Sequence, residues 1–409
     1  MKLAALMSIV SFAISAQDSP PRAITMPNSR ALPLESAGSN TNERIRNIEG
    51  RLNASPNDLK LQAALTAAYL QKLRETADGS YLDRAAKLAD RMLETDGGNF
   101  TALRFQNEID LQRHNFKAVA ERARDMAKFA PSDPGNWGNL GDALMELGEY
   151  EAAGQAFTRM FALRPNLASY NRLGYFRFVT GDAPGAIALM QVAVEAGEAV
   201  PENTAWCWAE LGDMYFKTGR LLDAENAYRS ALDLFPLLHR AYAGLGKAQA
   251  AKGQVESAIR SYERAQAIVP MAEYAAALED LYRGQGREAK AQDQQAQLDA
   301  IDALSRAAKE STNRTLALIL ADHNRHLDRA LELITAEIPT RGDVYTWDAM
   351  SWILFKLGRV QDARAASLKA VRWSTPEPSF YFHASQIAEA AGEKTAAEEY
   401  REHAKLNRD

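Results

Sequence analysis

One pattern of small and large residues returns along this chain, and where it is cleanest the period is 34 residues. Counting from Pro134, positions 4, 7, 8, 11, 15, 20, 24 and 32 hold Trp137, Leu140, Gly141, Leu144, Gly148, Ala153, Phe157 and Pro165. Counting from Ala205, the same slots hold Trp208, Leu211, Gly212, Tyr215, Gly219, Ala224, Tyr228 and Pro236, with Ala231 at position 27. Counting from His239, they hold Tyr242, Leu245, Gly246, Gln249, Gly253, Ala258, Tyr262 and Pro270, with Ala265 at position 27. Pro236 and Pro270 are 34 residues apart, as are Pro131 and Pro165.

The spacing accounts for the residue types. Positions 4, 7 and 11 share one face of a first helix, and positions 20, 24 and 27 share one face of a second. Gly at position 8 and Ala at 20 and 27 leave room for two helix backbones to approach. The large residues at 4, 11 and 24 fill the space beside them and toward the next unit. Gly at 15 permits a tight turn, and Pro at 32 ends the second helix. A single hairpin of this kind cannot bury its apolar face, so neighbours must stack.

Fainter copies surround Gly181 with Ala186 and Ala193, Gly286 with Ala291, Gly358 with Ala363 and Ala370, and Gly392 with Ala397 and Ala404. These residues resemble the tetratricopeptide repeat, a helix–turn–helix unit of 34 residues, from about Leu59 to Leu406. The resemblance implies an all-α fold, a right-handed α-solenoid of about eight to ten helix–turn–helix units. The signature fades between Leu298 and Tyr345, although LALILADHNRHLDRALELITAEIP still reads as helix–turn–helix with Ala330 at position 20. Residues 288–312 read as a hinge or boundary, which separates an N-terminal array (42–298) from C-terminal repeats and a capping helix (299–409).

Before the repeats, residues 1–16 have an early Lys2, an apolar run from Leu3 to Ile14 and small residues up to Ala16. That is the layout of a secretory signal peptide, cleaved after Ser15 or Ala16. Residues 17–41, rich in Pro, Ser and Asn, read as a flexible tether. The expected location is therefore secreted or periplasmic, with no stable membrane insertion after cleavage. A cytoplasmic adaptor is the alternative if Met1–Ala16 is retained. The sole cysteine, Cys207, excludes an intramolecular disulfide and leaves stability to packing.

Charge and motifs narrow the function. With 48 Lys and Arg against 53 Asp and Glu, the net charge of −5 gives no global field for nucleic acid. The mixed cations and rings of RPNLASYNRLGYFR (Arg164, Tyr170, Arg172, Tyr175, Phe176, Arg177) are read as packing and peptide contact, with no nucleic-acid partner. GxxxxGK[ST], GxSxG, HExxH and paired CxxC are all absent, so the chain is read as non-enzymatic and without a cofactor. Adjacent carboxylates such as Glu398 and Glu399 point to different sides of a helix and suit a solvated face. The one metal-like cluster is Asp322, His323 and His326 in ADHNRH, read as a polar turn; a metal-dependent accessory or enzymatic role there is the alternative.

What the resemblance implies about function is a protein or peptide partner held in a concave groove. Slots 2, 5, 6, 9, 12 and 13 of the first helices commonly meet such a ligand. In this sequence they carry Arg104 and Glu108, then Asn171, Arg172, Tyr175 and Phe178. Trp206, Asp213, Lys217, Arg240 and Lys247 follow, and Tyr345, Asp348, Trp352, Phe355 and His383 occupy the C-terminal units. A carboxylate clamp of the kind some relatives use is not complete: Asn139, Asn171 and Arg172 are fragments of it, and the matching lysines are missing.

Overall fold

The computed structural model describes residues 41–307 and 313–406, in which there are twenty-one α-helices and no strand. The expected signal peptide, almost all of the expected tether, and residues 308–312 of the expected boundary lie outside the described residues. A leading helix, α1 (Thr41–Ala54), precedes ten hairpins. The first three are α2 (Leu59–Thr76) with α3 (Ser80–Thr95), α4 (Phe100–Gln112) with α5 (Phe116–Phe129), and α6 (Pro134–Leu147) with α7 (Tyr150–Leu163). Next come α8 (Leu167–Val179) with α9 (Ala183–Ala196), α10 (Pro201–Lys217) with α11 (Leu221–Leu234), and α12 (His239–Ala251) with α13 (Val255–Ile268). Then follow α14 (Ala272–Gly284) with α15 (Glu288–Ala307), and α16 (Arg314–Asp322) with α17 (Leu327–Glu337). The last two are α18 (Val344–Lys356) with α19 (Val360–Ala370), and α20 (Pro378–Ala390) with α21 (Lys394–Leu406).

Local chemistry sets these boundaries. Asp133 caps α6 by accepting from the Gly135 N–H at 2.9 Å, and Asn166 and Ser169 bond reciprocally at the start of α8. Seven inter-helix turns place a glycine at φ between 68° and 91°. Of the three hairpins that lack one, His114 (φ 60°) and Asn324 (φ 54°) take the same slot in two, and the longer turn after α2 has Ala77 at φ 54°. The ADHNRH turn also carries one extra residue, His326, at φ 43°.

In the three units with the clearest signature, the ring of position 24 lies on the glycine of position 8. A methyl group added to Gly212 would come 2.6 Å from the Tyr228 ring, and one on Gly246 would come 2.6 Å from Tyr262. Gly141 meets Phe157 in the same way. The position-20 alanines Ala153, Ala186, Ala224, Ala258, Ala291, Ala330 and Ala363 are all 0% exposed. This is the close approach that the spacing predicts, and it extends through the region where the rest of the signature fades. Even-numbered helices also touch one another directly, α4 with α6 and α10 with α12 for example, and so form the inner layer.

A second seam joins units far apart in sequence. The turn after α6 packs Gly148 against the backbone of Gly342, and the turn after α8 packs Gly181 against the carbonyl of Trp373. The Tyr150 hydroxyl accepts from the Val344 N–H at 2.9 Å, and Thr375 Oγ1 donates to the Val179 carbonyl at 2.5 Å; both bonds are buried. Arg341 pairs with Glu146 at 2.5 Å, and Lys217 at the end of α10 pairs with Glu377 at 2.8 Å. Val344 and Phe380 share one apolar cluster with Leu144, Tyr150 and Phe157. The loops that lead into α18 and α20 therefore rest on the turns after α6 and α8, so one turn of the superhelix sits against the next.

Candidate functional site

The second seam gathers inner-layer side chains around a cavity of about 210 Å³. Six of the expected groove residues line it: Tyr175 and Phe178 from α8, Asp213 and Lys217 from α10, Arg240 from α12 and Tyr345 from α18. Glu210, Met214 and Arg314 complete the wall. Arg240 donates from Nη2 to Glu210 at 2.6 Å and to Asp213 at 3.3 Å, and its guanidinium lies 3.9 Å from the Trp206 ring centre. Asp213 also accepts from the Tyr228 hydroxyl at 2.7 Å. The Lys217 ammonium sits 5.7 Å from the Phe178 ring centre and 5.4 Å from that of Tyr345. Arg314 donates from Nη1 to both oxygens of Asp343 and to Thr346.

The charges hold one another in place. Burial alone would lower the Lys217 pKa, but Glu377, Tyr345 and Asp213 more than offset it and keep the ammonium well above its ordinary value. Burial alone would raise Asp213, but Lys247, Arg240 and Lys217 hold it below the usual carboxylate range. Burial raises the Tyr175 phenol well above its ordinary value, so it stays protonated.

The remaining expected residues divide into three groups. Arg104, Glu108 and Arg172 belong to a polar strip across α4 to α8, where Arg172 Nε donates to Asp142 at 2.9 Å and Arg104 pairs with Asp133 at 3.3 Å. Burial raises the Glu108 carboxyl, against Arg74, Arg104 and Arg172. Asn171 donates to Cys207 Sγ at 3.1 Å; the thiol is buried, which pushes its pKa up to about 12 and argues against reactivity. The expectation of open groove contact is corrected for a second group. Trp352 is 6% and His383 5% exposed, the two rings stack at 4.2 Å, and His383 Nδ1 lies 3.0 Å from both Asp348 oxygens. Asp348 is buried with them, and half-buried Phe355 stacks on Trp352 at 5.3 Å. These side chains face one another because α18 and α20 pack inner face to inner face. The third group is open: Trp206 is 38% exposed and Lys247 is exposed.

The ADHNRH turn does not converge on a point. Asp322 Oδ1 accepts from Trp352 Nε1 at 2.8 Å, His323 Nε2 lies 3.0 Å from Asp280, and His326 starts α17 in the left-handed region. No group of three or more His, Cys, Asp or Glu residues placed to hold a metal is present among the described residues. Three cavity residues escaped sequence reasoning for different reasons, and Met214, at position 10 of the unit counted from Ala205, stands outside the ligand slots. Glu210 fills position 6 of the unit counted from Ala205, so the slot pattern already contained it. Counting back from Ala330 at position 20 puts Arg314 at position 4, a packing slot, and only the extra residue in the ADHNRH turn moves it to position 5.

Three tetratricopeptide-repeat family models match the chain, at residues 134–167, 165–237 and 209–273. No curated protein is similar in sequence. Among solved structures, the crystal structure of the APC/C hetero-tetramer Cut9–Hcn1 is similar to 85% of this chain, with a TM-score of 0.50 at 15% identity. The match spans 60% of that chain. Two crystal structures of MamA match shorter parts. One covers 42% of this chain and 97% of its own (23% identity, TM-score 0.35), the other 39% and 86% (22% identity, TM-score 0.32). The likeness to Cut9–Hcn1 concerns the fold alone. With matching family models, residues 134–273 are tetratricopeptide repeats, and the hairpins on either side continue the same all-helical stack with its buried position-20 alanines.

Proposed function

We propose that this chain is a non-enzymatic protein-interaction scaffold, exported after removal of residues 1–16, that receives a peptide or protein partner on its inner helices. The tetratricopeptide repeats support the scaffold reading. The observation that carries the placement is Trp206, a large ring 38% exposed on an inner-layer helix, with the Arg240 guanidinium stacked on it. Lys247 stands two turns along α12 from Arg240 and adds an exposed cation on the same helix face. A half-exposed indole beside cations suits a polypeptide that presents an apolar side chain next to an acidic one. Most other inner-face charges already have partners within the chain, so the strip around Trp206 is where a ligand gains most.

The test is capture of a partner from the native envelope fraction by the mature chain, compared with Trp206→Ala and Lys247→Glu. Both variants should melt like the parent and bind about tenfold more weakly or worse, as expected for hot-spot losses of about 1.4 kcal/mol or more. Full-strength capture by both variants would remove the partner from this strip. Export has its own check: sequencing the N-terminus of the chain from its source should read from Ala16 or Gln17, and an intact Met1 would contradict it.

A further inference from the structure

The cavity has the size and the chemistry of a small-molecule site. Its volume of about 210 Å³ is many times the ~10–15 Å³ that one water needs, yet a helix about 10–12 Å across does not fit. Rings and carbons of Tyr175, Phe178, Met214 and Tyr345 form the apolar part of the wall.

The polar part is not saturated by the protein. Arg240 uses Nη2 for both Glu210 and Asp213, and Arg314 uses Nη1 for Asp343 and Thr346. Among the described residues, the other nitrogens of both guanidiniums have no hydrogen-bond acceptor. Among the same residues, Glu210 accepts on Oε1 only, and the Tyr175 hydroxyl has no hydrogen-bond partner. A purely anionic ligand would face Glu210 and Asp213, and a purely cationic one would face Lys217, Arg240 and Arg314. A neutral apolar ligand would leave the spare donors unpaired at a cost.

We propose that this cavity binds a small zwitterion of the free amino-acid class. Its carboxylate lies against the spare guanidinium nitrogens and the Tyr175 hydroxyl, and its ammonium against Glu210. Arginine is suited to the carboxylate because its planar fork presents parallel donors. Since α8, α10 and α12 form one side of the cavity and α16 and α18 the other, an occupant ties two turns of the superhelix together. A ligand that binds only the folded, closed state raises the melting temperature with concentration.

The experiment titrates each of the twenty free L-amino acids into the full chain, read by thermal melting and calorimetry. The N-acetyl and carboxamide derivatives of any binder follow. At least one amino acid should give a saturating rise in Tm, and each capped derivative should bind about tenfold more weakly or worse, for loss of one charge-assisted contact. Glu210→Gln should weaken binding by a similar factor. Tyr175→Phe, which removes a hydroxyl without a hydrogen-bond partner among the described residues, should also weaken it while the fold stays intact. The proposal is overturned if no amino acid shifts Tm or gives heat, if capped derivatives bind as tightly as free ones, or if both variants bind like the parent. Partner capture at Trp206 is read separately, so either proposal can fail alone.

Discussion

Two seams hold this molecule together, and they are built on different rules. The seam inside the units repeats: a fully buried alanine at position 20 along the stack, joined in the clearest three units by a ring at position 24 on a glycine at position 8. The seam between units far apart does not repeat. Gly148 on Gly342, Tyr150 on Val344 and Thr375 on Val179 are each used once, across about 195 residues of sequence. In an open solenoid, stability is close to a sum of unit and nearest-neighbour contributions. Here the second seam adds a long-range contribution and converts an open groove into a lined cavity.

The largest effects should come from the repeating seam. Tyr228→Ala removes a ring that is 0% exposed and should cost about 3–5 kcal/mol in chemical denaturation. Gly212→Leu forces a branched side chain into the same contact and should cost at least about 1–3 kcal/mol. A parent-like midpoint for either would show that the assigned register is wrong.

Alanine at two turn glycines separates the seams. Gly148 and Gly358 have nearly the same backbone, φ 77° and 75°, but only Gly148 faces another backbone; around Gly358 there is open space. Gly358→Ala should cost only the left-handed penalty of about 1–2 kcal/mol. Gly148→Ala should cost clearly more, and equal losses would mean that the long-range seam contributes nothing.

Single hydrogen bonds of the long-range seam come next. Tyr150→Phe strands the buried Val344 N–H, and Thr375→Val strands the Val179 carbonyl; each should cost about 1–3 kcal/mol in denaturant. Trp352 now belongs with stability as well: Trp352→Ala should lower the melting temperature, since the ring is buried and bonded to Asp322.

The smallest effect is a pH dependence. Burial pulls the His383 pKa down, but Asp348, with Asp322 and Glu377 further off, raises it above the ordinary value on balance. Its contribution to stability is therefore complete below about pH 6.5, the ordinary histidine value, and is lost as pH rises through the higher folded value. His383→Gln should remove that component of the stability profile. An unchanged profile would break the assignment of His383 to Asp348 in its charged form.

The contrast between the seams also explains what the sequence reveals. Ala330 could be placed at position 20 even where the signature fades, because a fully buried alanine opposite a neighbouring backbone has one physical reason to be there. His114 and Asn324 in the glycine slot were not legible, since any residue that tolerates a left-handed turn can stand in for Gly. The long-range seam left no periodic trace: Gly148 and Gly181 already have a local explanation as turn residues, and nothing in Thr375 or Gly342 points back across the chain. The repeat slots contain six of the cavity residues but carry no sign that they meet. It also placed Trp352 and His383 in an open groove, because a slot gives the direction of a side chain but not what closes over it.

The most direct test of the closed arrangement is a distance between spin labels at Glu151 and Arg372, side chains that form an ion pair at 3.7 Å across the long-range seam. Both are exposed, so labelled cysteines there leave the core untouched, while the native Cys207 is buried. Closure predicts a single narrow population at short distance. A broad distribution centred at long distance would mean that the superhelix is open and the cavity is not a feature of the molecule in solution.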